Sequence, residues 1–345
     1  MKRLIAMLLA CMLLVLCGCG ADGEGSVTNP SDDSVPAGEV YVNPLNGEIL
    51  DAPYTGRIFA VSICNTPNAV PHISLNEADV VMEMFVNNTV IRDFALFTNI
   101  RDVEVLGSVR STRLLFNEIV EHYDAVLIHS GSSDSVAHDF WLRGLDNFNL
   151  SLWDLISVGA SYRDEEYDRD YEASLFARGE TLYEYAKEQG VSVEQPAGKD
   201  YGLRFTDEGT PAKGDAAENI EIAFNFEGFI KKTEMKYDKT LDQYVYHQYD
   251  REMRDLINDE PEAFKNVIIM KTETSIKDIY HVSEFVEGGE GWFACGGKLI
   301  PIQWSCAGDF EPFVFMNMDG TVLELERGNT YIAIMSNDSG EVLWN

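Results

Sequence analysis

The sequence predicts an α/β domain on a mixed sheet, followed by a mostly antiparallel, β-rich (α+β) domain. Three observations carry that prediction. Apolar strand-like runs alternate with helix-period segments in the first half, and the second half is a succession of aromatic and β-branched runs separated by tight turns. Between them, residues 193–217 mix Gln, Pro, Gly, Lys and Asp, a composition suited to a linker. The 345 residues are enough for about two domains, and 45% hydrophobic with 11% aromatic content supports packed cores.

Taken in order, Lys2 and Arg3 precede an uncharged run, Leu4 to Leu16. A membrane span needs about 20 apolar residues, so this run fits the core of a signal peptide, 1–18. Leu16-Cys17-Gly18-Cys19 then reads as a bacterial lipobox with Cys19 as the lipidated residue. Cys17 competes less well, because cleavage there would follow Leu16 where a small residue is needed. Residues 19–41 are the lipidated cysteine and a Gly-, Ser-, Asp- and Pro-rich tether whose composition cannot bury a core.

The α/β domain, 42–192, opens with the apolar run Arg57 to Cys64, stopped by Asn65-Thr66-Pro67-Asn68. Ala78 to Val86 and Val90 to Phe97 flank Asn87-Asn88 as a hairpin. Arg113 to Tyr123 has apolar residues at helical spacing, Ala125 to His129 is a buried strand, and helices are expected from Ser135 to Leu142 and from Glu180 to Gln189. In the second domain, 218–345, strands are expected at Ile220 to Phe226, Thr233 to Tyr237, Tyr244 to Tyr249, Val267 to Met270 and Tyr331 to Met335.

Charge bounds the partners. With 26 basic against 58 acidic residues the formal charge is −32, and loss of Lys2 and Arg3 with the signal leaves 24 against 58, or −34. Nucleic-acid binding, which rests on neutralising phosphates, is excluded as a direct role. Anionic headgroups repel the chain, so attachment to the extracytoplasmic face of the cell membrane must come from the N-terminal lipid. Besides Cys19 the mature chain keeps Cys64, Cys295 and Cys306, which allows at most one intramolecular disulfide, with Cys295 and Cys306 nearest in sequence.

Five constellations could carry chemistry. Arg92, Arg110 and Arg113 fall in or beside apolar segments, and Ser111 or Thr112 is placed to cap the helix that follows. Guanidiniums beside a helix N-terminus suit phosphate or another polyanion. The competing reading pairs these arginines with Asp79, Glu83 and Asp93, since buried Arg is usually paired. His122, His129 and His138 with Asp134 and Asp139 suggest a Zn²⁺ site or an acid–base pair, in which Glu83, His129 and Ser130 are candidate polar residues; the plainer reading is a hydrogen-bonded histidine at a strand end. Ser130-Gly131-Ser132-Ser133 lacks the Gly-x-Ser-x-Gly elbow of a serine nucleophile. The acidic run Asp164 to Glu172 could hold Ca²⁺ but has no mid-loop glycine and reads better as a solvated face. Tyr237, Tyr244, Tyr246, Tyr249, Trp292, Trp304, Phe310 and Phe313 could line a sugar- or peptide-binding face, with half of them expected in the core by strand alternation. No metal or other cofactor is implied.

The order of several segments resembles the YerB-like lipoproteins, a bacterial two-domain family named for a domain of unknown function. The matching stretches include Asn43-Pro44-Leu45-Asn46-Gly47, Glu77 to Glu83, Ile91-Arg92-Asp93-Phe94-Ala95, Gly107 to Arg113, Tyr123 to Ser133, Lys236-Tyr237-Asp238, Asn266 to Ile269, and Gly291 through Trp304. Asn87-Asn88 stands where the family has Gly-Gly, Tyr171 to Ser174 where it has Pro-His-Asn, and His247 where an Arg is usual. The resemblance implies lipid attachment and a two-domain layout but brings no agreed reaction. The arginine-bearing α/β half is also similar, in fold and residue type only, to exported LytR-CpsA-Psr glycopolymer transferases, whose arginines grip a polyprenyl-pyrophosphate. The sequence thus points to a surface lipoprotein with a non-catalytic role in binding a ligand, an envelope protein or a glycan. The alternative is an envelope enzyme or binder acting on a phosphate-bearing, polyprenyl-pyrophosphate-like substrate held by the arginines.

Overall fold

Apolar runs with no polar face need cover on both sides, and the longest such runs form the middle of one large sheet. The computed structural model describes residues 40–345 except Glu165, Glu166, Asp168 and Pro196. The signal peptide, Cys19 and nearly all of the tether lie outside the described residues. Strands β1 (Phe59–Cys64), β2 (Val80–Asn87) and β3 (Val90–Phe97) lie in the order β2-β3-β1. Every residue of β1 is buried, as is most of β2 and β3. Helix α1 (Leu114–Tyr123) leads to β4 (Val126–His129), which pairs parallel to β1. Helix α2 (Asp134–Arg143), capped by Ser133, leads to β5 (Asn147–Asn149), parallel to β4. The short α3 (Trp153–Ser157) and α4 (Gly179–Glu188) complete this half.

The second half supplies two sets of strands. β6 (Asn219–Phe226), β7 (Phe229–Asp238) and β8 (Gln243–Gln248) form an antiparallel meander. β9 (Asn266–Thr272), the hairpin β10 (Gly289–Cys295) and β11 (Lys298–Cys306), β12 (Phe313–Asn317) and β13 (Thr330–Ser336) extend the large sheet. The β10–β11 turn is Gly296-Gly297, at φ 58° and 75°, backbone that favours glycine. β13 lies between β9 and β2, parallel to both, so one mixed sheet carries strands from both halves. β14 (Glu341–Trp344) adds to the edge of the meander. Within 193–217, Tyr201 and Leu203 are buried and Phe205-Thr206 pairs with Leu325-Glu326.

Alternation along each strand then decides two cores. One face of the large sheet (Val81, Ala95, Ile128) packs on the meander (Ile222, Phe224, Met235, Tyr246). The other (Met82, Met84, Phe94, Leu96) packs on Leu115, Phe116 and Ile119 of α1 and on Phe293, Trp304 and Phe313. Arg92 belongs by alternation to the α1 face, whereas Glu83 and Asp93, directly opposite each other in the β2–β3 register, belong to the meander face. No helix among the described residues is long and apolar enough to cross a membrane.

Candidate functional site

The segment carrying Arg110 and Arg113 is extended and laced between strand ends. Cys64 N–H donates to the Ser108 carbonyl at 2.8 Å, Arg110 N–H to the Ser62 carbonyl at 2.8 Å, and Ser130 N–H to the Arg110 carbonyl at 2.8 Å. The segment therefore crosses from the end of β1 to the end of β4, and Arg92, opposite Cys64 in the β1–β3 register, enters from the neighbouring strand. Arg92 Nη1 donates to the Ser111 carbonyl. Arg113 Nη1 donates to the Thr112 carbonyl at 2.7 Å and its guanidinium lies 5.9 Å from the Tyr280 ring. Arg110 pairs with Glu172 at 2.5 Å, but that carboxylate is 71% exposed. Arg92, Arg110, Arg113 and Ser111 are thus brought together.

Arg92 is 3% exposed, and among the described residues no carboxylate lies within ion-pair distance of Arg92 or Arg113. Burial, and then the neighbouring Arg113 and Arg110, pull the Arg92 pKa well down. Burial also lowers Arg113, with Arg110 adding to the fall and Tyr280 opposing it. The three carboxylates that would have neutralised the cluster are engaged elsewhere. Asp79 accepts from Asn46 at 2.6 Å and from the Thr98 N–H at 2.7 Å. Glu83 pairs with Lys231, and Asp93 lies beside Asn65 and His72. A buried Arg92 beside a part-buried Arg113, with only the exposed Glu172 on Arg110 as a nearby carboxylate, favours an anion that supplies charge and acceptors together.

Neither Ser111 nor Thr112 caps α1, contrary to the sequence expectation. Arg113 occupies the N-cap position without a side-chain capping bond. Ser111 Oγ donates to the Ser130 carbonyl at 2.9 Å, and Thr112 Oγ1 donates to Asn117 Oδ1 at 3.1 Å. Ser111 is drawn to the neighbouring loop at Ser130, and Thr112 to the Asn117 side chain within α1 itself, so neither hydroxyl is left to cap the first turn.

Glu83, His129 and Ser130 do not converge, since Glu83 projects from the opposite face of the sheet. His129 Nδ1 donates to the Gly131 carbonyl at 2.9 Å, and its Nε2 lies 3.2 Å from Asn147 Oδ1. Burial holds its pKa below the ordinary value. Ser130 Oγ is 2.7 Å from Ser151 Oγ. His122 contacts the Glu311 carbonyl at 2.8 Å and packs on Phe313, while His138 stacks on Trp141. Among the described residues no three His, Cys, Asp or Glu side chains are grouped to hold a metal ion. In the acidic run, Asp170 accepts from Asn68 and Glu172 meets Arg110, whereas Glu165, Glu166 and Asp168 lie outside the described residues. Cys64, Cys295 and Cys306 are free thiols, all buried. Of the aromatic set, Tyr244, Tyr246, Trp304 and Phe313 are core, Tyr237, Tyr249 and Trp292 are part-buried, and Phe310 is 57% exposed.

A second polar centre escaped the sequence reading. Between the large sheet and the meander, Glu83 Oε1 accepts from Asn65 Nδ2 at 3.0 Å and from Lys231, while Oε2 accepts from Thr233 at 2.7 Å and from Tyr331. Asp93 Oδ1 accepts from Asn65 at 2.9 Å, and Oδ2 lies 3.6 Å from His72, whose Nδ1 is 3.0 Å from Glu262. Glu83, Asp93, His72 and Glu262 are fully buried. Burial, reinforced by Glu83, pushes the Asp93 pKa up to about 7. Burial alone would lower His72, but Glu262 and Asp93 outweigh it and the net shift is upward. The one signal in the sequence was ionisable residues inside otherwise apolar strands, which does not say which charges meet.

Two adjoining family profiles match the chain, "Protein of unknown function (DUF3048) N-terminal domain" over residues 45–192 and its C-terminal counterpart over residues 222–332. A Bacillus subtilis (strain 168) protein named "Putative lipoprotein YerB" is 25% identical over 319 residues, covering 85% of this chain and 88% of that protein. The crystal structure of the YerB protein from Bacillus subtilis superposes with a TM-score of 0.74 at 21% identity, over 88% of this chain and 99% of that one. That structural likeness speaks for the fold.

Proposed function

This chain belongs to the YerB-like, two-domain DUF3048 lipoprotein family, and from that premise we propose that it is anchored through Cys19 to the extracytoplasmic face of the membrane and binds a phosphate-bearing ligand there. The observation that carries the reading is Arg92, nearly inaccessible, flanked by Arg110 and Arg113, and with no described carboxylate within ion-pair distance in a chain with 58 acidic residues. A diphosphate offers several acceptor oxygens at once, which matches converging guanidiniums better than a single carboxylate does.

An amphiphilic, polyprenyl-phosphate-like ligand is favoured by what adjoins the cluster. Leu150 N–H donates to the His129 carbonyl at 2.8 Å, and Ser151 touches Ser130, so the 150–153 turn stands beside the loop that holds Arg110. Leu152 and Trp153 follow at 54% and 75% exposed. Such bare apolar surface suits a hydrocarbon tail. The role is binding rather than catalysis, because the nearby His129 and Ser130 are already engaged by loop partners.

Calorimetric titration of the full chain in detergent with pyrophosphate and with a short-chain polyprenyl pyrophosphate tests this. Saturable binding that weakens by about tenfold or more in Arg110→Ala is expected, with the prenylated ligand the tighter. Absence of heat with both ligands in the wild type would defeat the proposal.

A further inference from the structure

We propose a second ligand site, separate from the arginines, that takes the N-acetyl group of an amino sugar. It is a cavity of about 640 Å³ between the meander and the start of β3, walled by Phe229, Ile230, Tyr249 and Ile91, with Asn65 and Gln248 at its base. That volume falls within the ~300–1,000 Å³ usual for small-ligand sites.

The base of the cavity names the ligand's chemistry. Gln248 is 2% exposed, yet neither its Nε2 nor its Oε1 has a hydrogen-bond partner among the described residues. Its position explains this, since Gln248 lies opposite Thr233, whose hydroxyl is committed to Glu83. Asn65 is equally informative. Its Nδ2 lies 2.9 Å from an Asp93 oxygen and 3.0 Å from a Glu83 oxygen, which fixes that end as the NH₂ and leaves Oδ1 as the unpartnered end. The base therefore holds a donor and two acceptors unused, where an unsatisfied buried polar atom is ordinarily costly. A secondary amide matches it, with its carbonyl accepting from Gln248 Nε2 and its N–H donating to Gln248 Oε1 or Asn65 Oδ1.

The walls choose the carrier of that amide. A peptide binding by strand addition needs a free sheet edge. Here β7 is paired on both sides, by β6 and β8, so the cavity offers no ladder. Rings stand at the mouth instead. Phe229 is 43% exposed, and the Tyr249 ring is held in place by its hydroxyl, which donates to the Asn65 carbonyl at 3.1 Å. Aromatic rings stack on the apolar faces of pyranose rings. Asp250, Glu234 and Lys232 on the rim can exchange hydrogen bonds with sugar hydroxyls.

The test is binding of tri-N-acetylchitotriose to the full chain in detergent, by saturation-transfer NMR and calorimetry, with cellotriose and N-acetyl-Ala-Ala-N-methylamide as the other probes. The acetylated trisaccharide should bind saturably and the other two should not. Gln248→Met should weaken it by about tenfold or more while leaving the melting temperature unchanged or raised, because it removes an unpaired buried amide. Phe229→Ser, at a ring 43% exposed that meets Phe85 edge-on, should weaken it as well, with the melting temperature followed alongside. Equal binding of cellotriose, preference for the peptide amide, no binding of the acetylated sugar, or binding indifferent to both variants overturns the proposal. Arg110→Ala should leave this binding intact, which separates its fate from that of the phosphate site.

Discussion

Arg92 and Asp93 are neighbours on one strand, yet they sit in opposite electrostatic worlds. On the meander face, Asp93 joins Glu83, Glu262, Lys231 and His72 in a network where charges of both signs meet. Lys231, two hydroxyls and the Asn65 amide take up both Glu83 oxygens, while Asp93 Oδ2 and His72 Nε2 face each other at 3.6 Å without a hydrogen bond. On the α1 face, Arg92 meets two more arginines and a backbone carbonyl, with no described carboxylate within ion-pair distance. Strand alternation alone separates them. The paired network is what a fold does with charge it must bury. The arginine cluster has only the exposed Glu172, on Arg110, as a described counter-ion, a cost that the proposed anion would offset.

The largest effect should come from breaking the paired side. Lys231→Met strands Glu83 without its cation and should destabilise the protein by about 3–5 kcal/mol in urea unfolding. If it costs less than about 1 kcal/mol, the contrast between the two faces collapses. Next, pH should act on the paired side in a definite direction. Asp93 titrates near 7 when folded, above the ~3.9 of an unfolded aspartate. The folded state therefore holds the extra proton between these values, so the Asp93 contribution to stability is full below about pH 4 and is lost as pH rises to about 7. The upward shift of His72 works in the same sense. The stability difference between wild type and Asp93→Asn, followed by chemical denaturation from pH 4 to 8, should move against the wild type as pH rises, and a flat difference would refute the assignment.

The unpaired side should behave oppositely. Arg92→Met removes a buried cation with no described ion-pair partner, so stability should change by about 1 kcal/mol or less while pyrophosphate affinity falls about tenfold or more. A loss of several kcal/mol would make Arg92 a structural residue. The smallest change is expected from Glu172→Gln. Its exposed pairing with Arg110 is worth about 0.5 kcal/mol or less, and removing a competing carboxylate should tighten anion binding by a few-fold at low salt. Weaker binding would mean that Glu172 orients Arg110 for the ligand.

Much of this architecture is legible along the chain because it follows from local period and composition. The fully apolar run at Phe59–Cys64, the hairpin over Val80–Phe97, the helix Leu114–Tyr123 and the aromatic meander each announce themselves by spacing, and the family segments fall in the same order. So does the unusual placing of Arg92, Arg110 and Arg113, since ionisable residues inside apolar runs stand out. What spacing cannot say is which charges meet. Lys231 is 148 positions from Glu83 and Tyr331 is 248 positions away, and they touch because β7 and β13 are brought against β2 from the far half of the chain. The insertion of β13 beside β2, the diversion of Ser111 from capping by the Ser130 loop, and the stranded amides of Asn65 and Gln248 likewise depend on partners from other elements. Local periodicity reports which side a residue faces; long-range packing decides what it finds there, and both candidate sites arise from that second step.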